Sequence, residues 1–151
     1  MTLARRWLTE GRPRLGIALL ALAAVSIAML LVEGSRPAAA AGINPFPHFD
    51  KVLHLGAHGW SAGLLFWGGV LLGHPAPVRR RIRVWGLLVI AVDSMSGIAV
   101  EFVQLWLGSN NGRQFDWKDV VANILGALIA IGISAPVALR VVRPDESTAE
   151  L

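Results

Sequence analysis

The chain has 151 residues, of which 54% are hydrophobic and 16% are charged. Soluble domains contain about 25% charged residues, so this composition excludes an ordinary water-soluble protein and indicates a single integral membrane domain. Cysteine is absent, which excludes disulfides and thiolate metal sites. The net charge is +4, but the basic residues lie at the ends of apolar segments rather than on a soluble face, so we expect no nucleic-acid partner.

Four apolar segments approach the length of about 20 residues that a helix needs to cross a bilayer. They cover residues 15–32, 52–72, 84–107 and 120–139. The sequence therefore predicts an all-α fold, an antiparallel bundle of four transmembrane helices in a domain at 15–139, between a basic N-terminal tail at 1–14 and a second tail at 140–151. A cleaved signal peptide at residues 1–41 is the alternative for the first segment, but that segment is longer than the usual apolar core of a signal peptide.

Polar side chains interrupt the other three segments, where they are costly unless they find partners. Helical spacing places His54, His58 and Ser61 on one face of the second segment, Asp93, Glu101 and Gln104 on one face of the third, and Asp119 and Asn123 on one face at the start of the fourth. Three helices therefore each present a polar face, and we expect these faces to meet inside the bundle.

Lys and Arg are distributed unevenly between the two sides of the predicted bundle. Ten lie in the two tails and in the loop between the second and third segments, against four in the other two loops. Short, positively charged segments stay in the cytoplasm. We therefore expect a multi-pass protein of the bacterial inner membrane with both termini cytoplasmic, and Trp residues near both boundaries are consistent with aromatic belts.

Depth along the helices predicts which polar groups meet. A rise of about 1.5 Å per residue places His54, Gln104 and Asn123 in one layer near the outer boundary, and it places His58 and Glu101 together in a deeper layer. Asp93 falls near the midplane, with Ser61 as its nearest side-chain partner. We therefore expect His58 to pair with Glu101.

A metal site is a weaker alternative for the same residues. His54 and His58 have the i, i+4 spacing that lets two imidazoles face one ion, with Glu101 as a third ligand. The pattern lacks the glutamate of a His-Glu-x-x-His motif, so we expect no metal and no cofactor. Whether any reaction is catalysed stays open, with His54 and Glu101 as the candidate catalytic residues.

Three short motifs resemble, in order, those of the VanZ-like family of bacterial membrane proteins. They are Asp50-Lys51-x-x-His54, then Gly97-x-x-x-Glu101-x-x-Gln104, then Arg113-x-x-Asp116-x-x-Asp119-x-x-x-Asn123-x-x-Gly126. The resemblance covers residues 49–130 and does not extend to the first segment. It implies a cell-envelope role, because the founding member is associated with lowered susceptibility to teicoplanin, a glycopeptide that targets cell-wall precursors. The family pattern includes neither His58 nor Asp93.

Two functions stay open at this point. In the first, an outward-facing polar cluster binds the anionic headgroup of a lipid or envelope precursor, with Lys51 and Arg113 as donors. The expected ligand-binding residues are Asp50, Lys51, His54, Glu101, Gln104, Arg113, Asp116, Asp119 and Asn123. If His54 and Glu101 carry protons, the same cluster would serve a lipid-modifying enzyme or a proton-coupled exporter. In the second, the cluster only holds the helices together and function belongs to a partner protein.

Overall fold

The computed structural model describes residues 12–36, 45–73, 78–111 and 114–141. These residues form four helices and no strand. The helices are α1 (Pro13–Ser35), α2 (Phe49–Leu72), α3 (Val78–Asn111) and α4 (Trp117–Val141). All four contain a stretch long and apolar enough to cross a membrane, so the predicted all-α class is confirmed.

The helices are longer than the apolar segments that predicted them. α2 begins at Phe49 rather than at residue 52, and α3 runs from Val78 to Asn111 rather than from 84 to 107. The polar residues at these ends continue the backbone hydrogen bonding where long side chains can reach water. One consequence is that Asp50 and Lys51 belong to the first turn of α2 rather than to a loop.

Consecutive helices run in opposite directions. The Arg12 N–H, just before α1, donates to the Leu71 carbonyl near the end of α2 at 2.5 Å. Gly34, at the end of α1, faces Gln104 near the end of α3. Gly59 of α2 faces Gly126 of α4, so α1 and α3 are parallel to each other and antiparallel to α2 and α4, as in an antiparallel bundle.

α2 and α4 form the most extensive helix pair. A Cβ atom at Gly126 would lie 2.2 Å from the Leu55 carbonyl oxygen, so only glycine allows the two backbones to approach this closely. Small residues serve the same purpose wherever membrane helices touch. The close approach brings the N-terminal turns of α2 and α4 side by side, and with them their polar side chains.

The apolar core occupies the half of the bundle away from these N-terminal turns. It contains Ala62, Phe66, Val70, Leu71, Ile82, Val89, Ala127, Ile131 and Ala138. Large apolar side chains also cover the outside, among them Leu87, which is 69% exposed, and Ile133, which is 65% exposed. An apolar exterior suits helices surrounded by lipid. The bundle is therefore apolar at one end and polar between the helices at the other.

Candidate functional site

Lys51 is surrounded by three carboxylates at the polar end of the bundle. Its Nζ lies 2.8 Å from Asp50 Oδ2, 2.6 Å from Asp116 Oδ2 and 2.7 Å from Asp119 Oδ1. The Lys51 side chain is only 20% exposed, so water screens these ion pairs less than pairs on an open surface. Lys51 thereby joins the beginning of α2 to the beginning of α4.

Asp116 also caps α4. Its Oδ1 accepts a hydrogen bond from the Lys118 N–H at 2.9 Å, which satisfies one of the free donors at the helix N-terminus. Its other oxygen, Oδ2, accepts from Lys51, and this hydrogen bond holds the pKa of the Asp116 carboxyl below its ordinary value. Asp116 is therefore held as a carboxylate at the junction of α2 and α4.

His54 lies one helical turn beyond Lys51 and faces α4. Its Nδ1 is 2.9 Å from Asn123 Oδ1, and its Nε2 is 3.7 Å from Asp119 Oδ2. An amide oxygen accepts but does not donate, so this contact places a proton on Nδ1. In the neutral imidazole, the lone pair then lies on Nε2, the nitrogen that faces Asp119.

Glu101 reaches the same place from α3, and its side chain is fully buried. Its Oε2 accepts a hydrogen bond from the Asp116 N–H at 3.1 Å. Within the part of the chain that the structure describes, three atoms here have no hydrogen-bond partner: Asp119 Oδ1, which forms an ion pair with Lys51, and Glu101 Oε1 and Asn123 Nδ2, which have neither kind of partner. The hydrogen bonding at this end is therefore incomplete.

The structure brings together seven of the nine expected ligand-binding residues. We call them the Lys51 cluster: Asp50, Lys51, His54, Glu101, Asp116, Asp119 and Asn123. Gln104 is buried at the same end but faces Gly34 of α1. Arg113 lies outside the described residues.

His58 has a different partner from the expected one. Its Nδ1 lies 2.9 Å from Asp93 Oδ2, and Ser61 Oγ donates to Asp93 Oδ1. All three side chains are almost completely buried, and we call them the His58 cluster. The expected contact between Ser61 and Asp93 is present. The expected pair of His58 and Glu101 is absent, because His58 contacts Asp93 and Glu101 accepts from the Asp116 N–H.

The register between α2 and α3 explains this difference. The depth prediction placed residue 52 level with residue 107, but α3 is displaced towards the polar end of the bundle, so that Glu101 lies beside the start of α2. Glu101 therefore lies level with His54, and Asp93, two turns deeper in α3, meets His58. No spacing within a single helix signals this pairing, because it depends on how far one helix slides along the other.

The arrangement also changes which residues could hold a metal ion. His54, Glu101 and Asp119 each offer one ligand atom, and these atoms all lie within 4.8 Å of one another. His58, which the sequence suggested as a ligand, instead binds Asp93. Asp119 takes its place, because the start of α4 lies directly beside the start of α2.

Comparison with known proteins identifies the family. No curated protein and no solved structure gives a significant match. A family model described as VanZ/LLP1 matches residues 17–139, which is most of the chain and includes most of α1, where the three motifs showed no resemblance. The protein, a multi-pass membrane protein with four apolar helices, belongs to the VanZ/LLP1 family.

Proposed function

We propose that this protein binds the anionic headgroup of a lipid or of a lipid-linked envelope precursor at the Lys51 cluster, in the bacterial inner membrane. The incomplete hydrogen bonding of the cluster is the observation that supports this. Glu101 Oε1 and Asn123 Nδ2 are buried acceptor and donor groups without partners among the described residues, and such groups are costly in an apolar medium. A polar ligand would satisfy them.

Arg113 is the donor that we assign to the headgroup. Lys51 is already surrounded by three carboxylates, so it has little capacity left for an anion. Arg113 precedes Asp116 by three residues, and a guanidinium can bind a phosphate through two parallel hydrogen bonds. In this proposal the acidic residues position the cations, and Arg113 contacts the ligand.

The distribution of basic residues supports an outward-facing cluster. The end of the bundle opposite the Lys51 cluster carries Arg79, Arg80, Arg81 and Arg83 at the start of α3, and such positively charged ends stay in the cytoplasm. A cysteine introduced at Ser109 should then react with a membrane-impermeant thiol reagent in intact cells. A cysteine at Ser147, in the C-terminal tail, is the control and should react only after permeabilisation. The opposite labelling pattern would reverse the proposed topology.

Alanine substitution at Arg113 tests whether this residue binds the anionic headgroup. Native mass spectrometry of the detergent-solubilised protein would measure retained phosphatidylglycerol against phosphatidylcholine. We expect Arg113→Ala to lose the preference for phosphatidylglycerol while its melting temperature is unchanged. Lys118→Ala removes the same charge from a neighbouring exposed residue and should bind as the wild type does.

A purely structural role is the second candidate, and the ion pairs of Lys51 favour it. It predicts that Arg113→Ala, Glu101→Ala and His54→Ala all lower the melting temperature and that the wild type shows no selective lipid binding.

If binding is selective, the teicoplanin susceptibility of cells that express the wild type or Arg113→Ala tests the envelope role. An enzyme or proton-coupled exporter would further require that His54→Ala abolish turnover or transport without abolishing binding.

A further inference from the structure

Three side chains of the Lys51 cluster have the composition and spacing of a metal-binding site. His54 from α2, Glu101 from α3 and Asp119 from α4 offer ligand atoms within 4.8 Å of one another. Glu101 is fully buried and Asp119 is 6% exposed. Three helices therefore direct one imidazole and two carboxylates towards one small region.

Each of the two carboxylates has one oxygen that the hydrogen-bond network does not use. Asp119 places Oδ1 beside Lys51 at 2.7 Å, which leaves Oδ2 facing His54. Glu101 accepts the Asp116 N–H at Oε2, whereas Oε1 is buried without a partner among the described residues. One oxygen of each group is therefore available to a ligand.

The orientation of His54 is the most specific observation. Asn123 accepts the Nδ1 proton, so the lone pair of the neutral ring lies on Nε2, 3.7 Å from Asp119 Oδ2. These two electron-rich atoms repel each other unless a proton on Nε2 or a metal ion lies between them. Histidines that bind metals commonly donate their other ring N–H to an oxygen acceptor, as His54 does to Asn123.

The charge of the cluster also favours a divalent cation. When all four carboxylates are ionised, Asp50, Glu101, Asp116 and Asp119 carry four negative charges, against one positive charge on Lys51. Arg113 would reduce the excess to two, which one divalent ion neutralises. Uncompensated charge between membrane helices costs several kcal/mol, so the excess favours either a bound cation or a proton on one of the carboxylates.

We propose that His54 Nε2 and one oxygen each from Glu101 and Asp119 bind a divalent metal ion of the zinc class. Two ligands of a tetrahedral ion with bonds of about 2.0–2.1 Å lie about 3.3 Å apart. The 3.7 Å between His54 Nε2 and Asp119 Oδ2 is close to that value, and the three ligand atoms, which lie within 4.8 Å of one another, would contract towards it around the ion. Asn123 is a positioning residue that fixes the imidazole. The three protein ligands leave a fourth position for water or another oxygen ligand.

Ion binding goes beyond the proposed headgroup function and does not depend on it. A further step does rest on that function: an ion with an open position would bind a phosphate oxygen of the headgroup directly. This would explain how a cluster rich in carboxylates attracts an anion. The two statements are tested by separate measurements, one without added lipid and one with it.

The test is a metal titration of the full chain in detergent after treatment with a chelator. Isothermal titration calorimetry with Zn²⁺, in the absence of added lipid, should show one ion per chain. Glu101→Gln and Asp119→Asn are isosteric and preserve packing, whereas His54→Ala removes the ring, and we expect all three substitutions to abolish this binding. Asn123→Ala should weaken it by about 10- to 100-fold.

Two variants at the same end of the bundle are matched controls. His48→Asn removes an exposed imidazole just before α2, and Glu33→Gln removes an exposed carboxylate at the end of α1 that pairs with Arg36 and lies outside the Lys51 cluster. Both should bind Zn²⁺ with wild-type affinity. Circular dichroism of every variant establishes that it is folded.

Visible absorption of the Co²⁺-substituted protein distinguishes a built site from ion pairing at the surface. We expect the intense bands of four-coordinate Co²⁺ in the wild type and the Glu33→Gln variant, and their absence in Glu101→Gln. The proposal is wrong if the wild type binds no ion at micromolar concentration, or if folded Glu101→Gln and Asp119→Asn bind as the wild type does. A protein that binds Zn²⁺ but shows no lipid preference would contradict the headgroup function alone.

Discussion

Two groups of polar side chains lie between the helices, and they differ in how completely they satisfy one another. In the His58 cluster, Asp93 accepts from Ser61 through one oxygen and contacts His58 Nδ1 through the other. In the Lys51 cluster, a buried carboxylate oxygen and an amide nitrogen have no hydrogen-bond partner among the described residues. The first group therefore resembles a structural contact, and the second resembles a site that a ligand completes.

The two groups also connect different parts of the bundle. The His58 cluster joins α2 to α3 alone, deep between the helices. The Lys51 cluster joins α2, α3 and α4 at one end of the bundle, where the Asp50 and Asp116 side chains are 47% and 38% exposed. Both differences indicate that the His58 cluster stabilises the bundle and that the Lys51 cluster binds a ligand.

The largest expected effect is the loss of the carboxylate of the His58 cluster. Asp93→Ala leaves the buried His58 imidazole without its partner and leaves the Ser61 hydroxyl with only the His58 carbonyl as acceptor, and removing one member of a buried pair costs about 3–5 kcal/mol. Chemical denaturation in detergent would measure the loss. Ser94→Ala is the control, because the Ser94 hydroxyl has no partner among the described residues. The division of roles fails if Asp93→Ala keeps its stability and loses Zn²⁺ binding.

Ligand binding should stabilise the protein through the Lys51 cluster. An ion that binds the folded state alone contributes about 2.7 kcal/mol at 100 times its dissociation constant, which corresponds to a rise of several degrees in melting temperature for a chain of this size. We expect this rise in the wild type and in His58→Phe, and none in Glu101→Gln. An equal rise in all three would place the ion elsewhere.

A smaller effect is expected from the close approach of α2 and α4. A Cβ at Gly126 would lie 2.2 Å from the Leu55 carbonyl oxygen, so Gly126→Ala must separate the helices and should cost about 1–3 kcal/mol. It should also weaken metal binding, because it moves His54 away from Asp119. Gly132→Ala in the same helix meets nothing within 4 Å and should be neutral or stabilising by about 0.5–1 kcal/mol. Chemical denaturation and Zn²⁺ titration of both variants would measure the changes in stability and in metal binding.

The sequence predicts much of this architecture because apolar length alone specifies a membrane helix. It also predicts that Lys51, His54, Glu101 and Asp119 converge, since three polar faces must avoid lipid. It does not predict that His58 contacts Asp93, because that contact depends on the register between α2 and α3, which no spacing within one helix specifies. Arg113 lies outside the described residues, so its predicted role stays a prediction.

Asp119 contacts Lys51 through one oxygen and faces His54 through the other. A cation that approaches Oδ2 draws electron density from the whole carboxylate and weakens its attraction for the ammonium on the opposite side. Metal binding would therefore weaken the ion pair between Lys51 of α2 and Asp119 of α4 without any movement of the backbone. Asp119 thus couples metal binding to the stability of the contact between α2 and α4.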